Sequence, residues 1–247
     1  MRLPKEEAAL RAGSPSLPAA RAHSAMSAPR HEYGDQGNLL ELLASPTVRQ
    51  VLRPVAERLL SLAQSGAVFC VCSARSGEGK TLVATALSLI LSEGMGKSVL
   101  LVDAHLQRPC VHRLLGVPDS PGLADCLREE CSLQDAVNPV GTLGVLPSGG
   151  DRDPARLFRT AVARRLVEEM RETYDLAIVD LPPLTPSNGE AAALCDWSDG
   201  AIMVVRANAT SASAIKEAVG MIDPPKMLGV VLNREQPELP PWLQRLL

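Results

Sequence analysis

Three short stretches of this chain carry residues of the types that handle phosphate and a divalent metal. The first, "ARSGEGKT" at residues 74–81, holds two glycines, a lysine and a threonine. Gly77 and Gly79 let the backbone turn its N–H groups toward one point, and such groups at a helix N-terminus make a cradle for an anion. Lys80 would reach terminal phosphate oxygens, and the Thr81 hydroxyl would be a ligand for Mg²⁺. The run Ser76, Gly77, Glu78, Gly79, Lys80, Thr81 and Leu82 is therefore the candidate nucleotide contact. The strict spacing G-x-x-x-x-G-K-[ST] has Ala74 in place of its first glycine. The plainer alternative is a glycine turn with a chance Lys-Thr, and the flanking elements weigh against it.

The other two stretches end apolar runs in carboxylates. "LAIVDLPP" stops at Asp180, the usual second element that holds magnesium. "VLLVDAHLQRP" stops at Asp103, which would orient metal-bound water or accept a proton from an attacking hydroxyl. A lone strand-end aspartate ordinarily just begins a turn; beside a phosphate loop the metal reading gains. Lys80, Asp103 and Asp180 form the candidate catalytic set, and Thr81, Asp103 and Asp180 the candidate metal ligands. Arg108 would neutralise phosphate charge, with a surface salt bridge as its alternative.

These positions need a scaffold that gathers strand ends. Apolar runs at 67–73, 98–103, 143–149, 176–180, 200–205 and 227–233 read as buried strands. Residues 80–93 read as a helix that Gly94 and Gly96 end. One or two short helices fall in 121–137, where "SLQD" resembles a capping box. A further helix starts at Asp153-Pro154, striped by Phe158, Val162, Leu166 and Met170. Strands that are apolar throughout and separated by helices imply an α/β fold: a doubly wound, mostly parallel sheet with helices on both faces. Ligands of such sheets sit at the carboxyl ends of the strands. Asp103, Asp180 and Asn233 all fall at such ends.

Residues 1–37, rich in Ala, Pro, Ser and Arg, read as a flexible tail, and 38–247 as the folded domain. Residues 38–64 look helical, with a break near Ser45-Pro46 and a helix start or kink near Pro54. A formal charge of −3 gives no sign of a nucleic-acid binder. The six cysteines lack zinc-type spacing, and Cys70 and Cys72 fit one face of a buried strand. No secretion signal or run of about 20 apolar residues is visible, so a soluble cytoplasmic protein is expected.

Taken together, "SARSGEGKT", "VLLVDAHLQRP" and "AIVDLPP" resemble the three Walker elements of the bacterial protein-tyrosine kinases (BY-kinases) of capsule and exopolysaccharide assembly. "HRLLG", "PGLADCL", "LGVLPSGG", "YDLAIVDLPP", "DGAIMVVRA" and "LGVVLN" extend the resemblance over about residues 48–233. It implies a P-loop fold related to the MinD and ParA ATPases and a Mg·ATP site at Lys80, Thr81, Asp103 and Asp180. It also implies that Asn233 lies near the base. A membrane-anchored activator of the polysaccharide co-polymerase type, a protein tyrosine substrate and a possible homo-oligomer are implied as partners. The chain would then be recruited to the inner face of the cell membrane.

Three departures from the family pattern stand out. His105 replaces the second Asp of Asp-x-Asp-x-Arg. An imidazole there holds Mg²⁺ less well than a carboxylate, and protonation near about pH 6.5 would make it repel the ion. Slow turnover that falls through that pH range is therefore expected. The chain's two tyrosines, Tyr33 and Tyr174, form no C-terminal cluster. Tyr174 reads as structural and Tyr33 as a solvated bystander. The family's oligomerisation helix is faint in "TVRQVLRPVAERLL". Arg75 stands where relatives of the partitioning-ATPase type carry a signature lysine. Two alternatives stay open: a MinD/ParA-like ATPase switch, and a degenerate ATP-binding regulator.

Overall fold

The computed structural model describes residues 43, 45–63, 66–151, 154–158 and 160–234. Its strands are β1 (Ala67–Ser73), β2 (Val99–Asp103), β3 (Asn138–Val140), β4 (Leu143–Leu146), β5 (Leu176–Asp180), β6 (Gly200–Arg206) and β7 (Met227–Asn233). They pair in the order β3-β4-β2-β5-β1-β6-β7. Every pairing is parallel except β3 with β4.

The helices are α1 (Pro46–Leu62), α2 (Lys80–Leu89), α3 (Val111–Leu115), α4 (Leu123–Leu127), α5 (Leu133–Ala136), α6 (Pro154–Phe158), α7 (Ala161–Thr173), α8 (Gly189–Trp197) and α9 (Ala212–Val219). They cover both faces of the sheet. Val68, Cys70 and Cys72 of β1 point into a core shared with α4 to α9. Ala67, Phe69 and Val71 alternate with them and face a core shared with α1, α2 and α3. Side chains of a strand alternate between faces, so a strand buried on both sides must be apolar at every position. That is why β1, β2 and β5 are buried from end to end and why their runs show no polar alternation. Among the described residues, no helix is long and apolar enough to cross a membrane.

Several elements differ from the expected boundaries. The third expected strand ends at Leu146 rather than at 149, because the next carbonyls are used elsewhere. Pro147 O accepts from Leu123 N–H at 2.7 Å and Ser148 O from Ala124 N–H at 2.9 Å. Those bonds start α4. The antiparallel strand β3 was not expected; it is short, half-exposed and contains Pro139. The striped helix is two helices. Thr160 accepts from Ala163 N–H at 3.2 Å and starts α7 afresh. Ala163, Leu166, Val167 and Met170 form its buried stripe, while Val162 is only half-buried. Asp153 lies outside the described residues.

Ser45 and Pro46 do mark a helix start, but Pro54 sits inside a continuous α1. Helix α2 gives way at Ile90 to a π-helical turn that runs to Gly94. Ser132 accepts from Asp135 N–H at 3.2 Å, as the capping-box pattern requires. The expected tail at 1–37 and residues 38–42 lie outside the described residues.

Candidate active site

The strand order puts β1 between β5 and β6, and β5 between β1 and β2. The loop after β1 and the last residues of β2 and β5 therefore meet at one edge of the sheet. Asp103 and Asp180 are register partners on neighbouring strands, and each is 0% exposed.

The loop from Ala74 to Lys80 is shaped by its own side chains and by two distant segments. Ser73 Oγ donates to Arg75 O at 2.8 Å. Gly77 and Gly79 have φ of 80° and 94°, a region that favours glycine. A Cβ at Gly77 would meet nothing within 4 Å, whereas one at Gly79 would stand 2.1 Å from Asn233 Nδ2. The same Asn233 nitrogen donates to Glu78 O at 2.8 Å. Glu78 is buried; its Oε2 accepts from Arg75 N–H at 2.8 Å, and its Oε1 accepts from the Thr210 hydroxyl. The structure thus ties the loop to the end of β7 and to the connection between β6 and α9.

Lys80 opens α2 and is buried, with only 5% of its surface exposed. The Thr81 hydroxyl donates to Asp180 Oδ2 at 2.6 Å. The Cys110 thiol in turn donates to the Thr81 hydroxyl at 3.5 Å. Asp180 Oδ1 is buried and has no hydrogen-bond partner. A buried carboxylate oxygen left without a donor calls for an explanation such as an ion. With a hydroxyl beside it, the pair suits a hard cation such as Mg²⁺, which takes one or two carboxylates and fills its other positions with water and phosphate oxygens. The residues present fit a magnesium ion.

Asp103 differs. Its Oδ1 accepts from His105 N–H at 3.1 Å, and its Oδ2 accepts from Cys110 N–H and Val111 N–H, both at 3.0 Å. Three of its roughly four acceptor positions are therefore taken by the chain that follows it.

Burial pushes the Asp180 carboxyl up to about 7; the Asp103 charge adds to this, while Lys80 and the Thr81 hydroxyl pull the other way. Burial raises Asp103 as well, against the three amide bonds. His105 moves in the opposite direction, to about 4, through burial and the charges of Lys80 and Arg108. The imidazole therefore stays neutral near pH 6.5, so His105 is not the group that would make turnover fall there. Burial pushes the Cys110 thiol up to about 11.

Other expected residues fall as follows. Ser76 and Arg75 are exposed on the loop. Arg108 is exposed, in the turn whose N–H bonds to His105 O at 3.0 Å. Leu82 packs its side chain against the core under α1 and α2, so only its backbone faces the loop. Glu78 turns its carboxylate inward rather than toward a ligand. Ala74 is buried in the other core, where a methyl is accommodated in place of the first glycine. Tyr174 is half-buried, with its ring against Gly144 and its hydroxyl raised by burial. Tyr33 lies outside the described residues. The sequence reading missed Thr210 and the Cys110 amide, whose roles arise only when distant segments meet.

The family model for the CobQ/CobB/MinD/ParA nucleotide binding domain matches residues 69–241. The tyrosine-protein kinase YwqD of Bacillus subtilis (strain 168) is 32% identical over 169 residues, covering 66% of this chain and 70% of that protein. The succinoglycan biosynthesis transport protein ExoP of Rhizobium meliloti (strain 1021) is 28% identical over 175 residues, 68% of this chain but only 22% of that longer protein. Among solved structures, the VpsO kinase domain superposes with a TM-score of 0.72 at 25% identity, covering 83% of this chain and 100% of that one. The septum site-determining protein MinD of Pyrococcus horikoshii OT3, complexed with Mg-ADP, shares the fold with a TM-score of 0.57 at 24% identity, over 72% of this chain and 76% of that one.

Proposed function

The chain belongs to the CobQ/CobB/MinD/ParA nucleotide-binding family and, within it, to the bacterial tyrosine kinases, and we propose that it transfers the terminal phosphoryl group of Mg·ATP to a tyrosine of another protein. The observation that carries the magnesium and phosphate part is the partnerless Asp180 Oδ1 beside the Thr81 hydroxyl at the foot of the phosphate loop. Magnesium bound there would neutralise phosphate charge and align the transferring group. Thr81 and Asp180 are the residues that would hold it. Lys80 supplies a fixed positive charge, Ser76 and the loop amides from Gly77 to Thr81 bind phosphate oxygens, and Arg108 adds charge from the rim. Asn233 would lie near the base. Asp103, with one acceptor position left, would receive the proton of the attacking hydroxyl or orient a water.

The substrate tyrosine is assigned to another protein because Tyr174 is half-buried against Gly144. The kinase relatives support the reaction class, and the relative named for succinoglycan transport supports a place in capsular or exopolysaccharide assembly. On this reading the chain is cytoplasmic and is recruited to the membrane by a membrane-anchored partner of the co-polymerase type, with self-association as a further contact.

The test uses purified protein, labelled ATP and an added tyrosine-bearing protein, with Lys80→Ala as the control. We expect label on tyrosine of the added protein and a loss of roughly a hundredfold or more in rate for the variant, the usual effect of removing one well-placed stabilising charge. Unchanged nucleotide affinity and turnover in Lys80→Ala would sink the loop assignment. Free phosphate alone would move the protein to the ATPase-switch class, and binding without turnover would make it a regulator.

A further inference from the structure

Helix α4 ends in a turn built on a non-glycine residue, Glu129, at φ 60°. Glu130 N–H donates to Asp125 O at 2.9 Å and Glu129 N–H to Cys126 O at 3.0 Å. These are the paired bonds of a Schellman turn, which folds the chain back over the last helical turn. The fold-back brings Cys131 Sγ to 3.5 Å from Cys126 Sγ. Both ends of the turn are pinned. Asp125 Oδ2 accepts from Gly122 N–H at 2.7 Å, and Ser132 caps α5 on the far side. The two sulfurs are thus in contact, against the roughly 2 Å of a disulfide bond.

The pair is asymmetric. Cys126 is 4% exposed, while Cys131 is only half-buried. Burial and the neighbouring sulfur also push the Cys126 thiol up, and Cys131 is the sulfur of the pair that meets solvent. Among the remaining thiols, Cys70 and Cys195 interact with each other. Cys70, Cys72 and Cys195 are 0% exposed, and Cys110 lies against the Thr81 hydroxyl.

We propose that Cys126 and Cys131 are a redox-active thiol pair that reduces small-molecule disulfides and closes to an internal disulfide. The Cys131 thiolate attacks one sulfur of the external disulfide and expels a thiolate, leaving a mixed disulfide on Cys131. Cys126 then gives up its proton and, as the thiolate, attacks the Cys131 sulfur and expels the second thiolate. Two electrons pass from the pair to the external disulfide, and the two thiol protons end on the two released thiols. Exchange of this kind requires an accessible first sulfur and a second one in line behind it. Neither requirement involves the nucleotide site.

The experiment treats the reduced, full-length chain with oxidised glutathione under native conditions, then blocks free thiols and maps peptides by mass spectrometry. We expect two of the six thiols to disappear, a Cys126–Cys131 link, a mass lower by about 2 Da, and full recovery with dithiothreitol. The Cys126→Ser variant should stop at a glutathione adduct on Cys131. The Cys131→Ser variant should lose thiols at less than about a tenth of the original rate, since no accessible attacking sulfur remains at the turn. The proposal is overturned if all six thiols survive, if the unmutated chain also stops at the adduct, or if Cys126 or Cys131 links elsewhere. Should either variant fail to fold, the peptide map of the unmutated chain decides alone.

Discussion

Asp103 and Asp180 are the same residue type, at the same level of adjacent parallel strands, and both are fully buried. Their surroundings divide the work between them. Asp103 gathers three backbone N–H groups from the residues that follow it and so folds its own connection into α3. Asp180 is followed by "LPPL", whose amides turn away: Leu181 N–H bonds to Val71 O at 3.0 Å and Leu184 N–H to Ser73 O at 2.8 Å. One Asp180 oxygen takes the Thr81 hydroxyl and the other takes nothing. What a strand-end carboxylate does here is decided by where the next few amides point.

The sharpest way to break this contrast is Asp180→Asn. Magnesium-dependent nucleotide affinity should fall roughly a hundredfold or more, as for loss of a principal electrostatic group. The unliganded fold should lose little stability, since the amide oxygen can still accept from the Thr81 hydroxyl and the cost of a buried carboxylate is removed. Calorimetric titration with and without Mg²⁺, beside thermal melting, checks both halves. A drop in melting temperature with affinity intact would reverse the roles assigned.

Asp103→Asn should show the opposite balance. An amide that presents N–H groups to the Cys110 and Val111 donors removes charged acceptors from buried amides, at a cost of about 2–4 kcal/mol in unfolding free energy. Urea denaturation of the nucleotide-free protein measures it. Unchanged stability would mean that the loop after β2 does not depend on this carboxylate.

His105→Asp tests whether the neighbourhood can be shifted from one role toward the other. A third carboxylate near Lys80 and Arg108 should strengthen magnesium binding and raise turnover by roughly tenfold, the effect of one added charge at several Å in a protein environment. A magnesium titration of the phosphoryl-transfer rate reports it. Identical curves would show that position 105 lies outside the reach of the ion.

The parts of this site that were legible in the sequence are those encoded by neighbours in the chain. "SGEGKT" carries its geometry in two glycine positions on either side of Glu78, and the buried strands announce themselves because a sheet covered on both faces tolerates no polar alternation. The partners of Glu78 were not legible. Thr210 lies 132 residues away, and nothing in either local pattern links them. The side chain of Leu82 shows a related limit, since a position inside the loop motif can still pack against the core of the following helix. The setting of His105 was not legible either, since the burial and the two cations that lower its pKa come from the fold. The split between α6 and α7 was hidden by a stripe that runs on through Thr160.

The ties from Asn233 and Thr210 to the phosphate loop have a further consequence. A loop that has to order itself on binding gives up backbone freedom worth about 1–2 kcal/mol per residue. Here Glu78 is fastened at its carbonyl by one distant segment and at its carboxylate by another before any nucleotide arrives. Much of that entropy is spent during folding, so the loop meets its ligand already shaped. Loosening either fastening would lower the fraction of molecules with a competent loop, and apparent affinity would drop by that same fraction with every phosphate-binding group still in place.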